Sequence, residues 1–89
     1  DPAARTVVAD LPSPVPGVPD FADDLTIDDT GDLYVTTLSG QLLRVGQDGA
    51  SCSVLSTEPL TAVAAIPDRR GEFVAGTERG EVLHIHLAE

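Results

Sequence analysis

The stretch Leu25-Thr-Ile-Asp-Asp-Thr-Gly-Asp-Leu-Tyr-Val-Thr-Thr-Leu-Ser-Gly-Gln-Leu-Leu-Arg-Val45 decides the fold. Its apolar and β-branched runs are four to five residues long and are broken by turn residues, which is strand spacing rather than helix spacing. Asp28-Asp29-Thr30-Gly31 predicts one turn, because aspartate bonds its own backbone and glycine accepts positive φ. Ser39-Gly40 predicts a second turn. Strands are therefore expected over about 24–28, 33–37 and 41–45. Gln47-Asp48-Gly49 turns the chain again into a fourth strand over 51–57, which Glu58-Pro59 ends.

The pattern then restarts. Strands are expected over 60–66, 73–77 and 81–87, with turns at Pro67–Gly71 and Arg79-Gly80. Gly31-Asp-Leu-Tyr-Val overlays Gly71-Glu-Phe-Val-Ala, and Gly40-Gln-Leu-Leu-Arg-Val45 overlays Gly80-Glu-Val-Leu-His-Ile85. No gap is needed: Gly31 to Gly71 and Gly40 to Gly80 are both 40 residues. The innermost strands, DDLTID and TAVAAIP, align only after a shift of one or two residues. A repeat of about 40–45 residues carrying four strands is the sequence signature of a propeller blade. The expected fold class is thus all-β, with antiparallel four-stranded β-propeller blades and about two blades in the chain.

Upstream, Ala4–Leu11 reads as a short outer strand, centred on Arg5–Asp10. Pro12-Ser-Pro-Val-Pro-Gly-Val-Pro19 reads as an extended, polyproline-like connector. The expected organisation is 1–20 as outer strand plus connector, 21–58 as a complete blade, and 59–89 as three strands of a second blade. Two blades cannot close a ring, since propellers have about four to eight. Further blades are therefore the expected partners, from other copies of the chain or from a longer parent chain. The N-terminal strand is a candidate to complete the last blade.

Composition narrows the function classes. The net charge is −10, from 15 acids against 5 arginines, with no lysine. That argues against binding the nucleic-acid backbone and against anionic membrane surfaces, both of which need clustered positive charge. It is consistent with a solvated acidic surface, a cation or a basic partner. Cys52 is the only cysteine, so no disulfide forms within one chain. The chain starts at Asp1-Pro2, which fits a mature product after signal removal or an excised fragment. A secreted location is slightly favoured.

The segment Phe21-Ala-Asp-Asp-Leu-Thr-Ile-Asp-Asp-Thr-Gly-Asp-Leu-Tyr-Val-Thr36, with Gly40-Gln-Leu-Leu-Arg-Val45 and Asp48-Gly49, resembles a blade of the gluconolactonase and senescence-marker-protein-like six-bladed propellers. NHL-repeat propellers share this texture. The resemblance covers about residues 21–87. It implies one divalent cation, usually calcium, at the top of a central tunnel, where carboxylates and an asparagine from several blades hold it. The metal then polarises a lactone or ester carbonyl. Asp23 and Asp24 alone sit at a comparable place, in the loop leading into an inner strand. The chain contains no asparagine, so a single copy lacks that ligand. The resemblance thus implies Ca2+ or another divalent cation as cofactor, and metal-dependent lactonase or esterase chemistry for a complete ring. A non-catalytic module binding a sugar or protein and a structural, self-assembling repeat unit are the alternatives.

Other constellations are weaker. Asp23 and Asp24 could instead cap a turn. Asp28, Asp29 and Asp32 surround a glycine but miss the EF-hand order, and turn chemistry accounts for them. His84 and His86 share a strand face, yet two imidazoles alone do not make a stable metal site, and the repeat aligns His84 with the polar position Arg44. Cys52 falls on an outer strand, where a small buried residue is expected. No G-x-S-x-G elbow or phosphate-binding glycine loop is present.

Overall fold

In the computed structural model, residues 20–56 and 58–87 are described. The outer strand expected at Arg5–Asp10 and the proline-rich connector lie outside them. The described residues form seven strands: β1 (Ala22–Ile27), β2 (Leu33–Thr37), β3 (Gln41–Val45), β4 (Ser51–Ser56), β5 (Leu60–Ala65), β6 (Glu72–Thr77) and β7 (Val82–His86). They make two antiparallel meanders, a four-stranded sheet β1-β2-β3-β4 and a three-stranded sheet β5-β6-β7. The sheets do not close into a ring.

Turn chemistry sets the hairpins. In the β2–β3 turn the Gly40 N–H donates to the Thr37 carbonyl at 3.1 Å, and the Gln41 N–H donates to Thr37 Oγ1 at 3.2 Å. The β6–β7 turn repeats both bonds at the same lengths, from Gly80 and Glu81 to Thr77. Gly40 and Gly80 sit at φ 92° and 85°, where a Cβ is disfavoured. A three-residue loop ending on such a glycine is a standard hairpin connection.

Register explains why the inner strands overlay poorly in sequence. Leu25 opposes Val35 and Val63 opposes Ala75. The partners Val35 and Ala75 are 40 residues apart, but Leu25 and Val63 only 38. The difference lies in the turns: five residues, Asp28–Asp32, separate the paired Ile27 and Leu33, whereas seven, Ile66–Glu72, separate the paired Ala65 and Phe73. Both sheets carry a bulge at the same place, between Ala22 and Asp24 and between Leu60 and Ala62. A bulge adds one unpaired residue, here Asp23 and Thr61, and bends the strand.

The sheets pack face to face around Tyr34 and Leu42 from the first, and Leu60, Val63, Phe73 and Ala75 from the second. The Tyr34 and Phe73 rings lie 4.4 Å apart between centroids, tilted by 55°. Tilted aromatic pairs add about 0.5–1.5 kcal/mol beyond the area they bury. Because strand side chains alternate, Val35, Leu43 and Val45 fall on the opposite face of the first sheet, and they are buried too. This two-sided burial makes β2 an unbroken buried run from Tyr34 to Thr37. Its threonines are satisfied: among the described residues no buried side-chain polar atom lacks a partner.

Candidate functional site

Asp23 and Asp24 open β1. Asp23 is the exposed bulge residue. Asp24 is half-buried and already bonded. Its backbone N–H donates to Thr36 Oγ1 at 3.0 Å, and the Thr36 hydroxyl donates to the Asp24 carbonyl at 3.3 Å. Its carboxylate Oδ2 accepts the Val63 N–H at 2.8 Å. The Asp24 carboxylate therefore grips the neighbouring sheet rather than capping a turn.

Two further side chains grip the second sheet in the same way. Thr26 Oγ1 accepts the Ala65 N–H at 3.0 Å, and Asp29 Oδ2 accepts the Asp68 N–H at 3.0 Å. All three bonds span 39 residues. A constant offset means that β1 and β5 run parallel, side by side. Side-chain oxygens thus occupy the backbone donors on the edge of β5, where a further strand would otherwise supply carbonyls. Asp24 and Thr26 lie on one face of β1 because side chains alternate along a strand. The sequence carried a clue: Ala62 and Ala64 stand at the matching positions of β5, so the acceptors belong to the first sheet alone.

At the other end of β1, roughly 16 Å from Asp23 at strand rise, a cavity of about 440 Å³ opens between the sheets. Asp28, Thr30, Asp32, Tyr34, Arg44 and Arg70 supply its polar lining. Asp28 organises the turn. Its Oδ1 accepts the Thr30 N–H at 2.9 Å, the Thr30 hydroxyl at 2.6 Å and the Asp32 N–H at 3.1 Å. Desolvation pushes the Asp28 carboxyl up, but the bonds from Thr30, Asp32 and Gly31 together outweigh it and hold the carboxyl below its ordinary value. Burial, helped by the charge of Asp28, raises the Tyr34 phenol. Arg44 stands beside Tyr34 and lies 3.7 Å from Asp32, and both neighbours favour its charged form. Among the described residues, the cavity walls hold no histidine or cysteine. They can orient a small polar ligand through a phenol and guanidinium groups.

The remaining candidates disperse. His84 and His86 are exposed on one face of β7, as the alternation requires. His84 Nε2 lies 2.9 Å from Glu72 Oε1, in the role that Arg44 plays toward Asp32 in the first sheet. Cys52 is exposed. This corrects the expectation of a buried thiol: β4 is an edge strand, and Cys52 opposes the exposed Arg44 rather than a core residue. Among the described residues, no group of three or more His, Cys, Asp or Glu side chains is placed to hold a metal ion. Compared with protein-family models, curated proteins and solved structures, the chain matches none.

Proposed function

We propose that this chain is a two-blade β-propeller segment of the gluconolactonase-like type, and that it serves as part of a ring-shaped scaffold whose tunnel binds a small ligand or divalent cation. The observation that carries this reading is the parallel, side-by-side course of β1 and β5, each the first strand of its meander. Adjacent propeller blades place their first strands next to one another around the axis. Asp23 projects at the start of β1, so copies around an axis would bring several such carboxylates to the tunnel mouth, a setting for calcium. If the complete ring is enzymatic, metal-assisted hydrolysis of a lactone or ester is its chemistry.

Calorimetric titration of the chain with calcium tests this reading, alongside light scattering for mass. The expected result is a multiple of the 9.2 kDa chain mass, with heat that weakens in Asp23→Asn and Asp24→Asn. A monomer that gives no heat at millimolar calcium overturns it.

A non-catalytic scaffold is the second reading. The engagement of Asp24 Oδ2 by Val63 favours it, since that oxygen already has a partner. In that case the assembly still forms but the calcium heat is missing.

A further inference from the structure

We propose that the chain's own proline-rich segment, Pro12–Pro19, lies as a strap along the outer face of the first sheet, the face turned away from the second sheet. This face is buried in a way its strands do not explain. Val35, Leu43 and Val45 lie on it and are all buried, Leu43 completely. Register puts Leu25 and Ile27 on the same face, opposite Val35 and Leu33. Among the described residues no strand packs on it. The second sheet approaches the first through β5 against β1 and β2, and that contact uses the other face, the one carrying Tyr34 and Leu42. A leucine at the centre of an uncovered antiparallel sheet would face water, so Leu43 has a cover.

The cover is narrow. Where a whole sheet covers the equivalent face, in the second sheet, Val63 and Ala75 are both buried. Their counterparts in the first sheet, Leu25 and Val35, part company: Val35 is buried, whereas Leu25 is 58% exposed. Strands are spaced by about 4.8 Å, so a cover that closes β2 and β3 and leaves β1 open is about one chain wide. It is not a second sheet.

The segment before Asp20 begins in the right place. Asp20 is clipped to the β2–β3 turn: its Oδ2 accepts the Ser39 hydroxyl at 2.8 Å, and the next carbonyl, of Phe21, accepts the Leu38 N–H at 3.0 Å. The chain therefore reaches Asp20 at the end of the sheet where the two covered strands meet. From there, Thr37 to Leu33 spans about 14 Å at strand rise, and eight residues in polyproline geometry reach about 25 Å. The chemistry fits as well. No charge stands between Asp10 and Asp20, and Val15 and Val18 supply apolar side chains beside the proline rings. The four prolines carry no N–H, so few donors lose water when the segment lies on an apolar face.

The strap stands where, on the second sheet, the first sheet stands. One consequence rests on the ring-scaffold reading: the strap competes with a further blade for this face, and that blade docks only when the strap leaves.

Methyl NOE spectroscopy of the full chain tests the strap, with mixed labelled and unlabelled chains separating contacts within a copy from contacts between copies. The expected result is contact, within one copy, from the Val15 or Val18 methyls to those of Val35, Leu43 or Val45. Contacts found only between copies overturn the strap, and so does an absence of contacts from the segment while Val35 and Leu43 still show contact with each other. Val15→Asp/Val18→Asp in the full chain gives a second readout. The Val35, Leu43 and Val45 methyl resonances should shift, and binding of a hydrophobic dye should rise. A folded variant in which neither changes overturns the strap and leaves the ring-scaffold reading standing. Sedimentation equilibrium of the same variant separates the two: association at lower concentration than the wild type supports both. A variant whose face has opened but whose mass stays at one chain, 9.2 kDa, keeps the strap and counts against assembly from further copies.

Discussion

The Asp24 carboxylate accepts the Val63 N–H at 2.8 Å and so fastens the first strand of one sheet to the first strand of the next. Val63 is buried and Asp24 is half-buried, so removing the acceptor leaves a partly buried donor without a partner. Asp24→Ala is expected to destabilise the fold by about 1–3 kcal/mol. Asp24→Asn keeps a carbonyl oxygen at the same reach and should cost less. Urea denaturation of the two variants checks the order. Equal losses would mean that the charge of Asp24, rather than its oxygen, holds the joint.

Phe73 is fully buried and packs at a tilt against Tyr34 across the sheet interface. Truncating a buried phenylalanine to alanine costs about 3–5 kcal/mol, comparable to the whole stability of a small domain. Phe73→Ala is therefore expected to lose cooperative unfolding altogether. Tyr34→Phe keeps the ring and should shift the thermal midpoint by only a few degrees. Scanning calorimetry of both variants distinguishes the ring contact from the hydroxyl.

The strands were legible because their stops are chemical. Gly31, Gly40, Gly49, Gly71 and Gly80 all take positive φ, and the runs between them are short and rich in apolar and β-branched residues. The inner-strand offset was legible as a shift of one or two residues, but its cause was not: two more residues stand between Ala65 and Phe73 than between Ile27 and Leu33. Asp23 and Asp24 were legible as acids at the start of an inner strand, but the bulge at Asp23 and the bond from Asp24 to Val63 leave no trace in composition. The clamps from Asp24, Thr26 and Asp29 were hidden for another reason. A side chain bonding a backbone group 39 residues away creates no periodicity, and only the contrast with Ala62 and Ala64 hints at it. The burial of Cys52 was misjudged because sequence spacing places it on the outer strand without fixing which face it takes, and it falls opposite the exposed Arg44.

Gly71 and Gly80 separate two costs of adding a side chain. Both have positive φ, at 75° and 85°. A Cβ on Gly71 would stand 3.3 Å from the Leu87 carbonyl oxygen, whereas one on Gly80 meets nothing within 4 Å. Gly80→Ala should therefore cost only the conformational penalty, about 1 kcal/mol. Gly71→Ala should cost more, because the Gly71 carbonyl also accepts the Leu87 N–H at 2.8 Å and a shift to relieve the contact would strain that bond. Paired denaturation curves give the comparison, and a smaller loss at Gly71 would refute it.

Asp28 makes the first turn sensitive to acid. Its carboxyl titrates below the ordinary value of 3.8, because the hydrogen bonds from Thr30, Asp32 and Gly31 outweigh desolvation. A carboxyl whose folded value is depressed adds stability that is fully present above the unfolded value and is lost as pH falls through the folded one. Stability should thus rise with pH across the acid range and level off above about pH 5. Asp20, held low by Ser39, Thr37 and the Phe21 N–H against the same desolvation, contributes in the same direction. Asp28→Asn keeps an acceptor for the Thr30 N–H but no longer titrates, so it should flatten the slope while leaving the turn closed. Thermal midpoints measured from pH 3 to pH 7 for wild type and Asp28→Asn provide the check. Parallel profiles would assign the acid sensitivity to carboxylates other than Asp28.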